Sequence, residues 1–179
     1  MKKSTTKRIV MNGLMIALVF LATYLTRIPT PLPGGYFNLG DTMIMAAAIV
    51  LGRNTGLIAG AFGSCLADMA SGSFIFAPFT FVIKGLEGYL TGLAAVSDTS
   101  SRTIPVLKYV LAVTVGAVVM VGCYFISETF ILGYFDKTFG LAAAVTEFPA
   151  NLVQGGIGAV AGYIISVLLA KLNVRAYLA

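Results

Sequence analysis

Ile9-Val-Met-Asn-Gly-Leu-Met-Ile-Ala-Leu-Val-Phe-Leu-Ala-Thr-Tyr-Leu-Thr26 carries no charged residue and follows Lys2, Lys3, Lys7 and Arg8. A run of this length and character is long enough to cross the hydrocarbon core of a bilayer. A basic leader ahead of an apolar run also opens a signal peptide. No small-residue cleavage site follows, so the run is expected to stay as a first membrane helix. The rest of the chain reads the same way. Of its 179 residues 58% are hydrophobic and 11% charged, against about half and about a quarter in soluble globular proteins; the mean hydropathy is +0.93. So much apolar surface calls for lipid as the solvent.

Working outward from the first run, Ile28-Pro-Thr-Pro-Leu-Pro-Gly-Gly-Tyr36 is too rich in proline and glycine for a helix. Apolar segments then predict further helices over about 39–52, 56–71, 77–96, 104–131 and 148–172, the fourth opening at Pro78 and the last at Pro149. With 9–26 they give an all-α membrane protein, a single domain over 1–179 built as a bundle of six transmembrane helices. Leu141-Ala-Ala-Ala-Val145 has no clear assignment. An even number of spans puts both termini on one side. That side carries Lys2, Lys3, Lys7, Arg8, Arg53, Arg102, Lys108, Lys171 and Arg175, while the other carries only Arg27 and Lys137. The bias predicts cytoplasmic N and C termini and a plasma-membrane protein.

Composition also narrows the chemistry. There is no histidine, the commonest general base and metal ligand. Cys65 and Cys123 lie inside apolar runs and read as core residues rather than ligands or a disulfide. No Walker-type, G-x-S-x-G, H-E-x-x-H or C-x-x-C motif occurs. The expectation is a protein that is not an enzyme, has no cofactor or metal and hydrolyses no ATP itself. Its net charge of +5 is spread over the ends of apolar runs, which marks membrane topology rather than nucleic-acid binding.

The predicted orientation gathers the polar side chains at one depth. Asp41, Asp68, Lys84, Glu87, Glu128, Glu147, Asn151 and Gln154 all fall in the outer part of the spans, with Lys84 and Glu87 about 10 and 14 Å below the outer start of their helix at 1.5 Å per residue. The inner half is almost wholly aliphatic. Ionisable groups in membrane helices face a bundle interior or a water-filled cavity, so the pattern predicts a solute pocket open in the outer half and closed below. Spacing supports shared faces: Lys84, Glu87 and Thr91 at i, i+3, i+7; Glu147, Asn151 and Gln154 at i, i+4, i+7; Tyr124 and Glu128 four apart. Tyr36, Phe37, Phe79 and Tyr124 offer an aromatic wall, with the proline-glycine loop placed as a lid.

Each residue has a plainer reading as well. Asp41 suits a helix cap, and Asp68 suits an anchor for a loop. Lys84 and Glu87 are able to neutralise each other across one turn. Glu128 and Glu147 are placed to be solvated at the interface, Asn151 and Gln154 to join helices, and the aromatics to pack in a core. Gly13 with Ala17, the series Gly56, Gly60, Ser64, and the series Gly155, Gly158, Gly162 form flat faces for close helix approach. On the third and sixth helices these faces suit packing within the chain. On the first helix the face suits a partner protein.

Four segments together, Tyr36-Phe-Asn-Leu-Gly-Asp41, Leu51-Gly-Arg-Asn-Thr-Gly56, Ala67-Asp-Met-Ala-Ser-Gly72 and Phe81-Val-Ile-Lys-Gly-Leu-Glu87, resemble the substrate-binding S components of energy-coupling factor (ECF) vitamin transporters. The resemblance covers most of the chain. It implies six helices around a deep solute site near the outer face, covered by outer loops, and partnership with a transmembrane coupling subunit and two cytoplasmic ABC ATPases. It places ligand contacts at Asn38, Asp41, Lys84, Glu87 and Asn151, to which the polar layer adds Tyr36, Tyr124, Glu128 and Gln154. It also places coupling-subunit docking at Gly13 and Ala17, where glycine stands in for one alanine of the family's alanine-x-x-x-alanine pattern. The expected solute is a water-soluble vitamin or precursor, with pyridoxine or hydroxymethylpyrimidine favoured and riboflavin the further option. A self-sufficient small transporter or channel is the rival reading, disfavoured by the apolar inner half.

Overall fold

The computed structural model describes residues 2–32, 34–95 and 106–172. Helix α1 runs from Lys2 to Leu25, followed by a short antiparallel ribbon in which β1 (Ile28–Pro29) pairs with β2 (Tyr36–Phe37), Ile28 opposite Phe37 and Pro29 opposite Tyr36. Then come α2 (Gly40–Leu51), α3 (Arg53–Ala70), α4 (Ala77–Ala94) and α5 (Val106–Ile126), which continues as a π-helical turn over Ser127–Leu132 and a short α6 (Gly133–Phe135). The last helix, α7, spans Leu141–Lys171.

Thr5–Leu25, Val106–Phe135 and Leu141–Lys171 are long and apolar enough to cross a membrane. Their outward residues, among them Leu107, Val118, Phe130, Val160 and Leu168, are exposed, as lipid contact requires. Helix α2 is only 12 residues long, about 18 Å. It sits at the centre, against α1, α3, α4, α5 and α7, with ten of its residues buried. Surrounded by protein, it has no need to match the bilayer's thickness.

The predicted boundaries shift in four places. Helix α1 starts at Lys2 rather than Ile9, because lysine and arginine are good helix formers and prolong the helix past its apolar part. Helix α3 starts at Arg53 rather than 56: Gly52, at φ +97°, reverses the chain in a single residue that serves both α2 and α3. The regular part of the 104–131 segment stops at Ile126, where the π turn begins; residues 104 and 105 lie outside the described residues, as do Arg102 and Arg175. The largest correction is in α7, which begins at Leu141 rather than 148 and carries Pro149 inside it. The Ala142–Ala144 run is a strong helix former, and a proline that removes one N–H bond is tolerated in membrane helices.

The small-residue faces on α3 and α7 pack within the chain. A β-carbon at Gly56 would lie 2.7 Å from the Gly88 carbonyl oxygen, and one at Gly92 would lie 2.7 Å from the Arg53 amide nitrogen. Helices α3 and α4 thus meet backbone to backbone where Arg53–Gly60 runs beside Lys84–Gly92. Gly158 and Gly162 of α7 abut Asp41 and Met45 of α2 in the same manner. Gly88→Val is expected to force the α3–α4 seam apart and to destabilise the protein by about 1–3 kcal/mol or more, read as a lower unfolding temperature in detergent.

Candidate functional site

The helices alternate in direction, so the end of α1, the starts of α2, α4 and α7, and the ends of α3 and α5 all lie at one end of the bundle, opposite the basic N-terminal segment. There they enclose a small, partly open chamber. Its walls are Thr23 of α1; Gly34, Gly35, Tyr36 and Asn38 of the ribbon; Ser64 and Asp68 of α3; Phe76, Thr80 and Lys84 at the start of α4; Tyr124 and Glu128; and Glu147, Asn151 and Gln154 of α7. Towards the other end the interior is filled by Met45, Ile49, Ala95, Tyr109, Ala112 and Val113.

Behind the chamber wall lies an ion triad. Lys84 pairs with Asp41 of α2, and its Nζ lies 3.2 Å from Glu87 Oε2 one turn along α4. Lys84 is 3% exposed, and Asp41 and Glu87 are 0% exposed, so neither carboxylate has water as an alternative partner. The triad continues to the ribbon. Gln154 Nε2 donates to Asp41 Oδ2 at 3.0 Å, and Gln154 Oε1 accepts from the Asn38 amide at 2.8 Å. Asn38 in turn accepts the Gly40 N–H at 2.9 Å at the start of α2.

The ribbon is latched over the chamber by polar bonds from α3, from α7 and from the turn between α3 and α4. Tyr36 donates its hydroxyl to Asp68 Oδ1, the Leu32 amide donates to Glu147 Oε1 at 3.0 Å, and Ser73 Oγ donates to the Gly34 carbonyl at 2.8 Å. Burial, reinforced by the adjacent Asp68 carboxylate, pushes the Tyr36 hydroxyl above its ordinary range. It therefore stays protonated and able to donate throughout the physiological range. Arg27 lies over the Tyr36 ring at 4.4 Å from its centroid.

Of the nine residues expected to contact solute, Tyr36, Asn38, Lys84, Tyr124, Glu128, Asn151 and Gln154 line the chamber. Asp41 and Glu87 do not: they stand behind Lys84 and hold it. Asp41 makes no helix cap either, since no side-chain cap bond forms at the start of α2 and its oxygens go to Lys84 and Gln154. Glu128 and Glu147 are buried, not solvated at an interface. Asp68 anchors the ribbon and also faces the chamber with an Oδ2 that has no hydrogen-bond partner. In the aromatic wall Phe76 takes the place expected for Phe37 and Phe79, the latter packing against a cluster of Leu32, Phe76, Leu132 and Phe139.

Thr23, Ser64, Phe76 and Thr80 are chamber residues that the sequence reading left out. Thr80 was within reach, standing four residues before Lys84 on the same helix face and bonded at 2.9 Å to the Tyr124 hydroxyl. Thr23, Ser64 and Phe76 carry no comparable signal. The hydroxyls of Thr23 and Ser64, with Asp68 Oδ2 and Glu128 Oε2, are buried chamber-wall atoms without a hydrogen-bond partner. Such atoms are few in native proteins and mark places where a ligand or water completes the bonding.

Gly13 and Ala17 face outward on α1, and a β-carbon at Gly13 would meet nothing within 4 Å. The same helix is fixed to α3 by its other side, through Thr55 Oγ1 and Asn12 Oδ1 at 2.9 Å and through Val19 against Gly63.

Helices long and apolar enough to span a bilayer, a central helix shielded by the others and a polar chamber at one end define a helical bundle of membrane-protein character. The family model for the S component of ECF-type riboflavin transporters matches residues 3–171, and the chain belongs to that family. The family is one of transporters, not enzymes. An uncharacterized protein of Pyrococcus woesei is 37% identical over 153 residues, covering 86% of this chain and 95% of its own. The thiamine precursor transporter HmpT of Lactococcus lactis is 26% identical over 175 residues, covering 97% of this chain and 94% of its own. The solved structure of ThiT from Listeria monocytogenes shares the fold with a TM-score of 0.61 at 16% identity, covering 94% of this chain and 97% of that one.

Proposed function

We propose that the protein is the membrane-embedded, high-affinity binding subunit of an ECF-type ABC importer for a water-soluble vitamin or vitamin precursor of the pyridoxine or hydroxymethylpyrimidine class. The chamber faces outside, both termini are cytoplasmic, and the loaded subunit delivers its solute inward through a transmembrane coupling subunit driven by two ABC ATPases. The observation that carries this reading is the one-ended chamber: unpartnered donors and acceptors with aromatic rings at one end, a filled apolar interior at the other. That arrangement captures a small polar ring but gives it no route across. The name of the Lactococcus lactis relative supports a thiamine precursor.

The test is a binding screen of the purified chain against the B vitamins and their precursors. One solute is expected to bind tightly, and Asn151→Ala is expected to weaken it about tenfold, the order of one lost hydrogen bond in a dry site. Uptake by liposomes holding this chain alone would favour the self-sufficient transporter instead.

A further inference from the structure

Four of the five acidic side chains around the chamber are already committed. Asp41 and Glu87 hold Lys84, Asp68 accepts from Tyr36, and Glu147 accepts from the Leu32 amide. Glu128 is different. It lines the chamber, is 3% exposed, takes part in no ion pair among the described residues, and its Oε2 is buried without a hydrogen-bond partner.

Its position is built by the backbone. Glu128 sits in the π-helical turn Ser127–Leu132, where an extra residue per turn re-aims side chains relative to the regular helix. Its own carbonyl accepts the Gly140 N–H at 3.0 Å, tying the turn to the start of α7. Gly140 makes that bond with φ at +124°, a backbone conformation that side-chain-bearing residues rarely adopt. An unpaired carboxylate in a dry site costs several kcal/mol unless a partner arrives. Among the described residues no hydrogen bond reaches its Oε2, and the charged neighbour it feels is a second acid, Glu147.

We propose that Glu128 is the specificity-determining residue of the chamber and that it recognises a protonated ring nitrogen of a weakly basic heteroaromatic solute. The proposal rests on the solute-binding reading above. The other unpartnered charged oxygen on the wall, Asp68 Oδ2, is also an acceptor, so a fitting ligand brings donors. Lys84 is occupied by its two carboxylates and is not free to welcome an anion. Carboxylate and phosphate-ester solutes are therefore repelled.

The experiment is isothermal titration of the purified full chain with 4-amino-5-hydroxymethyl-2-methylpyrimidine and with its carbocyclic analogue, in which both ring nitrogens are CH. Wild type is expected to prefer the pyrimidine by at least tenfold. Glu128→Gln should remove most of that preference while leaving the weak affinity for the analogue unchanged. Equal losses for both ligands would make Glu128 merely structural, and an unchanged pyrimidine affinity would likewise overturn the proposal. A wild type without that preference would overturn the proposal with no variant needed. Tight capture of an anionic vitamin, unaffected by Glu128→Gln, would sink the charge assignment and leave the binding-subunit reading standing. Failure of wild type to bind any B vitamin or precursor would sink both.

Discussion

Replacing Lys84 with methionine is expected to destabilise the protein by about 3–5 kcal/mol, the usual consequence of removing one partner from a buried ion pair. The side chain is nearly isosteric, so the loss does not come from packing. It comes from Asp41 and Glu87, both fully buried, which would face each other with no cation between them. The Gln154 amide would remain on Asp41, but no hydrogen bond reaches either Glu87 oxygen. Unfolding of the purified protein in detergent is the measurement. Adding Asp41→Asn and Glu87→Gln to Lys84→Met should recover much of the loss, because a neutral trio no longer needs charge compensation. A Lys84→Met protein that unfolds like wild type would show that water reaches the triad.

Gly13→Leu is expected to leave solute affinity within about twofold while abolishing ATP-dependent uptake by the complete importer. Gly13 faces open space and lies on α1 away from the chamber, so a larger side chain there disturbs no contact within the chain. On the docking reading, however, leucine fills the flat surface that lets a partner helix approach, and transmembrane helices rely on close approach for association. Binding to the purified subunit and uptake by the reconstituted complex would be measured side by side. Equal loss of both activities would mean that α1 is part of the binding machinery; unchanged uptake would place docking elsewhere.

The helical membrane architecture was legible because apolar runs and charge punctuation are strong, local signals. The beginning of α7 was not, since Pro149 reads as a helix start in sequence while the alanines before it decide the matter. The polar layer was legible too: seven of the nine expected contacts line one chamber. What sequence could not reveal was the order of the shells. Asp41, Lys84 and Glu87 read alike in sequence, as charges at one depth, yet of the three only Lys84 reaches the chamber, because α2 is buried at the centre and its carboxylate approaches Lys84 from behind. Nor does any local pattern announce the π turn at Ser127–Leu132 or bring Thr23 and Ser64 to the wall. Those placements depend on how closely helices meet across glycines distant in sequence.

The glycine contacts between α3 and α4 have a mechanical consequence. With Gly56 against Gly88 and Gly92 against Arg53, neither helix can slide along the other by a turn without driving main chain into main chain. The two behave as one stiff plank carrying Ser64, Asp68, Thr80 and Lys84. If the chamber takes up a solute as proposed, the give is expected on the facing side, where the ribbon hangs from a few polar bonds and the π-turned end of α5 meets α7.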